Sequence, residues 1–137
     1  MNTKDLFVSY SLNKQLQEKG FNEHCFGVIY PDGEILFSSP DLTTIMSRKE
    51  KNCIKAAMHQ QVLDWFREKH DIHIELELED NSKIYNYSIC IKDSRIKNRE
   101  YHDNDMLDQA KPIFVKYKTS VYYEALNKAI EEALKLI

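Results

Sequence analysis

Two hydrophobic periods alternate along this chain, and the points where one gives way to the other mark its elements. Met58, Val62, Trp65, Phe66 and Lys69 fall at i, i+4, i+7, i+8 and i+11, one face of a 3.6-residue repeat. Asp64, Arg67 and Glu68 lie toward the other side, so the spacing predicts a helix beginning near Ala57. Trp65, the single tryptophan, stands in the apolar stripe and reads as a core anchor. A period of two follows at once. Ile72, Ile74, Leu76 and Leu78 alternate with His73, Glu75, Glu77 and Glu79, the pattern of a strand with one dry face and one wet face.

The polar stretch DNSK separates this strand from IYNYSICI, which predicts a hairpin. A turn centred on Asn81 and Ser82 sets Leu78 opposite Tyr85, Leu76 opposite Tyr87, Ile74 opposite Ile89 and Ile72 opposite Ile91. A slip of one residue would bring Ile84, Asn86, Ser88 and Cys90 against the apolar row, a poor match. The wet face then pairs Glu79 with Ile84, Glu77 with Asn86, Glu75 with Ser88 and His73 with Cys90.

Earlier in the chain, Ser9 suits the N-cap of a short helix with Leu12 and Leu16 inward. Gly20 suits a left-handed C′ position, with Phe21 folding back on Leu16. CFGVIY, PDG and EILF then predict a first hairpin over about Cys25–Phe37, with Gly27 and Ile29 beside Phe37 and Ile35. Residues 38–55 show no clean period; Asp41 suits the cap of one helical turn through Ile45, and the basic run reads as a solvated loop. Lys92 to Lys111 is polar and reads as a flexible arm or long loop, and PIFVKY as a short strand that Pro112 keeps at an edge.

A last helix is capped by Thr119 or Ser120. Its apolar stripe is Tyr122, Leu126, Ala129, Ile130, Ala133 and Ile137, with Glu124–Lys128 and Glu131–Lys135 as i,i+4 pairs. The order α-β-β-α-β-β-α implies an α+β fold: an antiparallel sheet of two hairpins with helices on one face. Residues 1–137 are expected to form one small α+β domain, with 92–118 as a long loop or arm.

Composition narrows the functional classes more than it selects one. At 137 residues, 30% charged, with a net charge of −3 and mean hydropathy of −0.57, the chain suits a globular protein, with no bulk attraction for nucleic acid. No apolar run approaches the roughly 18 residues of a membrane span. The opening MNTKDLFVSYS lacks the apolar region of a secretion leader, so the cytoplasm is the expected location. The three cysteines, Cys25, Cys53 and Cys90, are odd in number and far apart, which suits a reducing compartment. Three glycines leave no material for a phosphate-cradling loop, and no P-loop, dinucleotide, nucleophile-elbow or zinc-protease motif is present.

The candidate sites are few. His73 opposite Cys90, with His70 and Glu75 nearby, brings together ligand types that zinc takes and an imidazole that activates a thiol. Set against that is the ordinary mixed face of a sheet. His24–Cys25 are only adjacent in sequence, and His59 reads as a helix-surface residue. Glu75, Glu77 and Glu79 suit a divalent cation, a basic partner or acid–base work, or more simply a solvated face that discourages strand pairing. Asp103, Asp105 and Asp108 lack the glycine and distal glutamate of a calcium loop.

Arg48, Lys49, Lys51 and Lys55 form a basic cluster, and Arg95, Lys97 and Arg99 another, of the kind that contacts phosphates. Tyr85 and Tyr87, however, fall on the row assigned to the core, which argues against an RNA-binding sheet. Tyr101, Tyr117, Tyr122 and Tyr123 suit a protein interface, where tyrosine gives large contact area at low entropic cost.

Three stretches, SYSLNKQLQEKGF, QQVLDWFREKHDIHIE and YYEALNKAIEEALKLI, resemble a group of small proteins encoded by phages, prophages and mobile elements of gut Bacteroidota. The resemblance departs at Ala56-Ala57-Met58, where the group has a proline, and across most of 38–55 and 92–118. It implies an origin on a mobile element and no particular activity. The expectation is therefore a small non-enzymatic module that binds protein, either itself or a host or virion component, without a cofactor. The alternatives are small-molecule or metal-dependent chemistry at the His73/Cys90 face and nucleic-acid binding by the basic loops.

Overall fold

The computed structural model describes residues 2–37, 52–81, 84–97 and 110–137. Among them are three helices and two three-stranded antiparallel sheets, in the order α-β-β-β-α-β-β-β-α. The contacts gather into two compact units, Met1–Val62 and Leu63–Ile137.

The first unit opens with a 3-10 turn at Thr3–Leu6, closed by reciprocal bonds between Asn2 and Asp5 and their neighbours. Helix α1, Tyr10–Glu18, begins where the Leu12 N–H donates to Ser9 Oγ. It ends as expected: Gly20 has φ +96°, Phe21 N–H donates to the Leu16 carbonyl at 2.9 Å and Gly20 N–H to that of Gln17 at 3.1 Å. Strands β1, Gly27–Ile29, and β2, Ile35–Phe37, pair in the anticipated register, Gly27 opposite Phe37 and Ile29 opposite Ile35. The turn between them closes through Gly33 N–H to the Tyr30 carbonyl, with Gly33 at φ +87°. A Cβ on Gly27 would stand 2.7 Å from the Leu36 carbonyl oxygen, so only glycine lets the two strands approach this closely.

A third strand, β3 at Ile54–Lys55, pairs with the other edge of β1. It corrects the assignment of this segment to a loop. Two residues are too short to show a period, and the partner strand supplies what the segment cannot. The unit's core gathers Phe7, Ile29 and Ala56, with Tyr10, Ile35 and Met58 against them. Helix α2, His59–His70, starts with Met58 N–H donating to Gln61 Oε1, and Gln61 Nε2 donates in turn to the His24 carbonyl at 2.7 Å. The proposed turn at Asp41–Ile45 lies outside the described residues.

The second unit holds the rest of α2, strands β4 (Ile72–Asn81), β5 (Ile84–Lys97) and β6 (Ala110–Lys116), and helix α3 (Tyr122–Leu134), with sheet order β4-β5-β6. The inside–outside assignment of β4 holds, but its register does not. Ile74 faces Ile91, Leu76 faces Ile89, Leu78 faces Tyr87 and Ile72 faces Asp93, a shift of two residues from the expected pairs. Pairing continues to Asn81 opposite Ile84, so the turn centres one position later than the sequence suggested. A shift of two keeps every side chain on its face, which is why the hydrophobic pattern could not tell the two registers apart.

Strand β5 runs on to Lys97, through residues expected in a loop, and β6 occupies the sheet edge that Pro112 suggested. Helix α3 lies against β4 and β5. It buries Ala125, Leu126, Ala129, Ile130, Ala133 and Leu134, so Tyr122 and Ile137 fall off the inward stripe. Its N-cap is Val121, without a side-chain cap. The Thr119 hydroxyl accepts from Val121 N–H and donates to Glu124, which leaves Lys128 to pair with Glu131 and Glu132, and Lys135 with Glu132. The expected Glu124–Lys128 and Glu131–Lys135 pairs are thereby replaced.

Candidate functional site

The revised register separates His73 from Cys90. His73 stands opposite Lys92, and Cys90 stands between Glu75 on β4 and Phe114 on β6. Cys90 is buried, and burial is the main cause pushing its thiol up; Lys92 opposes this while Glu75 and Glu77 add to it. Such surroundings hold the sulfur protonated, the reverse of what a nucleophile needs. Glu75 is engaged by Lys92 at 3.2 Å, and His73 comes no nearer than 4.0 Å to Asp71. His70 packs edge-on to Trp65 at 4.5 Å, where burial and the nearby Arg95 charge lower its pKa. Among the described residues no group of three or more His, Cys, Asp or Glu side chains is arranged to hold a metal ion.

The other cysteine–histidine candidate fares similarly. Cys25 is fully buried and its thiol is pushed up to about 11, mainly by burial, while His24 packs against Phe26. His59, expected on a helix surface, is buried. Of the first basic cluster only Lys55 is described. Its Nζ donates to Asn22 at the side of an open cleft of about 310 Å³ lined by Gln17, Gly20, Phe21 and Asn22. Arg48, Lys49 and Lys51 lie outside the described residues, as do Arg99, Tyr101 and the Asp103–Asp108 tract.

Arg95, from the second cluster, is committed to structure. Its guanidinium grips Asp93 through two bonds of 2.8 and 2.7 Å and donates to the Leu136 carbonyl at 3.0 Å. Asp93 is only 1% exposed, and the hydrogen bonds from Arg95 hold its carboxyl below the ordinary range against the opposing effect of burial.

The surface that stands out is apolar. Along the inner face of the β4–β5 hairpin, Ile72, Ile89 and Ile91 are buried, Ile74, Leu76 and Tyr87 are half-buried, and Leu78 is 52% exposed. Tyr122, 43% exposed, sets its ring edge-on to Tyr87 at 5.4 Å and to Tyr123 at 5.6 Å, and Val121 beside it is also open. The row expected to be sealed beneath helices is thus sealed at one end only; the side chain of Tyr85 lies outside the described part.

Tyr87 is the cross-strand partner of Leu78, so α3 begins level with Leu78 and still leaves that side chain open. Leu78 and Tyr122 both read as inward in the sequence because periodicity reports the side a residue faces and not whether anything covers it. Tyr117 and Tyr123 are half-buried. On the opposite, wet face Phe114 is 70% exposed.

No protein-family model, curated protein or solved structure matches this chain. No helix among the described residues is long and apolar enough to cross a membrane.

Proposed function

We propose that this protein is a non-enzymatic binding module that engages another protein through the uncovered apolar end of its second sheet. The observation that carries the reading is the exposed apolar group formed by Leu78, opposite Tyr87, and Tyr122, packed on the Tyr87 ring, with Val121 next to Tyr122 in the chain; Leu78, Val121 and Tyr122 are each about half open to solvent. Tyrosines give broad, rigid contact area, and aliphatic neighbours exclude water around them, the combination that marks interface centres. The chemistry-bearing alternatives lack comparable support: Cys25 and Cys90 are held as thiols and Arg95 is consumed by Asp93.

The resemblance to phage and mobile-element proteins directs the search to host and virion components first. Immobilised wild-type chain and a Leu78→Asp/Tyr122→Ala variant should be compared for capture from host lysate, with light scattering to detect self-association. A partner, or a dimer, that the wild type holds at least tenfold more tightly is expected. Equal retention by a folded variant, or a strict monomer that captures nothing, would overturn the reading.

A further inference from the structure

Beside the apolar cluster lies a second feature, the free edge of β4. Among the described residues β4 pairs with β5 alone, so no described strand takes up the backbone groups on its other side along its 10 residues. The sheet's other edge is of a different kind: β6 carries Pro112, which has no N–H to offer, and its pairing with β5 is broken by a register shift between Asp93 and Lys97. The β4 edge has neither obstacle.

Its side chains define what would fit there. On the wet face Glu75 is neutralised by Lys92, while Glu77 and Glu79 are exposed and form no ion pair among the described residues. On the dry face Leu76 and Leu78 continue the apolar cluster. A second copy is disfavoured, because two β4 edges brought together would set one carboxylate row against another, and like charges across a strand pair repel.

We propose that the β4 edge receives an extended segment of a partner protein in which Lys or Arg alternates with aliphatic residues. The basic residues would pair with Glu77 and Glu79, and the aliphatic ones would extend the Leu76–Leu78 row. Backbone bonds supply affinity in this mode and the alternating side chains supply selectivity. The inference rests on the protein-binding reading above and makes it specific.

The test uses the full chain and two labelled ten-residue peptides, one alternating lysine with valine and one alternating glutamate with valine. The lysine peptide should bind at least tenfold more tightly, weaken as salt is raised, and slow amide exchange at alternate residues between His73 and Glu79. Glu77→Lys/Glu79→Lys should reverse the preference. N-methylation of alternate peptide residues should abolish binding.

A carboxylate row that serves only to prevent pairing would bind neither peptide, and equal binding of the two, or indifference to N-methylation, would equally overturn the proposal. Tyr122-dependent capture of a partner without peptide binding removes this inference and leaves the broader reading standing. Peptide binding without such capture supports the edge and removes the role given to the apolar cluster.

Discussion

Asn13 is buried inside the first unit and shares its amide among the backbone. Its Nδ2 donates to the carbonyls of Val8 and Ser9 at 2.8 and 3.2 Å, and its Oδ1 accepts from Ala57 N–H at 2.9 Å. Val8 N–H in turn donates to the Ala57 carbonyl, so one side chain and one backbone bond fasten the segment before α1 to the segment before α2. Replacing it by alanine strands a buried N–H and opens a void. We expect Asn13→Ala to lower stability by about 2–3 kcal/mol in urea unfolding; a loss under about 0.5 kcal/mol would mean that water or a backbone shift substitutes for the amide. Nothing in the sequence marked this residue, because a polar side chain on a helix reads as exposed unless its long-range partner is known. Leu12 and Leu16 beside it were legible, since burial of an apolar face needs no partner to be named. His59 likewise reads as a helix-surface residue in the sequence and is buried in the structure.

Local chemistry was the most readable layer at the level of the element. The end of α1 and the first hairpin carry their instructions within a few residues: Gly20 and Phe21 in one, Pro31-Asp32-Gly33 in the other. A Cβ on Gly20 would meet nothing within 4 Å, so the cost of substitution lies entirely in the left-handed backbone at φ +96°. Gly20→Ala is therefore expected to destabilise by about 1–2 kcal/mol with no change in the slope of the denaturation curve; a neutral outcome would imply that the cap relaxes to another geometry. The second hairpin shows the limit of pattern. Its faces were fixed by alternation, but DNSK contains no Asn-Gly or Asp-Gly pair to place the turn, and the register came out two residues away. That displacement moved Cys90 from His73 to Glu75 and separated the two residues of the metal-or-nucleophile candidate. The far end of β5 was missed because charged residues there, Asp93 above all, disguise a paired strand as a loop.

Across the second unit as a whole, Asp93, Arg95 and the Leu136 carbonyl join the sheet to the C-terminal end of α3. The Asp93 carboxyl is depressed in the folded state, so the stability it lends is fully present above the ordinary carboxylate pKa of about 3.9 and is lost as pH falls through the lower folded value. Asp93→Asn should cost about 1–2 kcal/mol at neutral pH, and its gap from the wild type should narrow as pH is taken from 4 toward 2. A gap that stays constant with pH would assign the loss to packing instead. Partly exposed Arg95 is screened by solvent, which keeps the figure modest.

Uneven burial along the β4–β5 hairpin, from closed at Ile72 and Ile91 to open at Leu78, gives the second unit a gradient of rigidity. At the Arg95 end, buried isoleucines and a charge-assisted clasp resist opening together. Toward Leu78 these supports thin out, so local opening there needs far less free energy than global unfolding. A protein that docks at that end would find a strand already shaped but loosely held, and its binding would tighten the host at the place where tightening is cheapest to achieve.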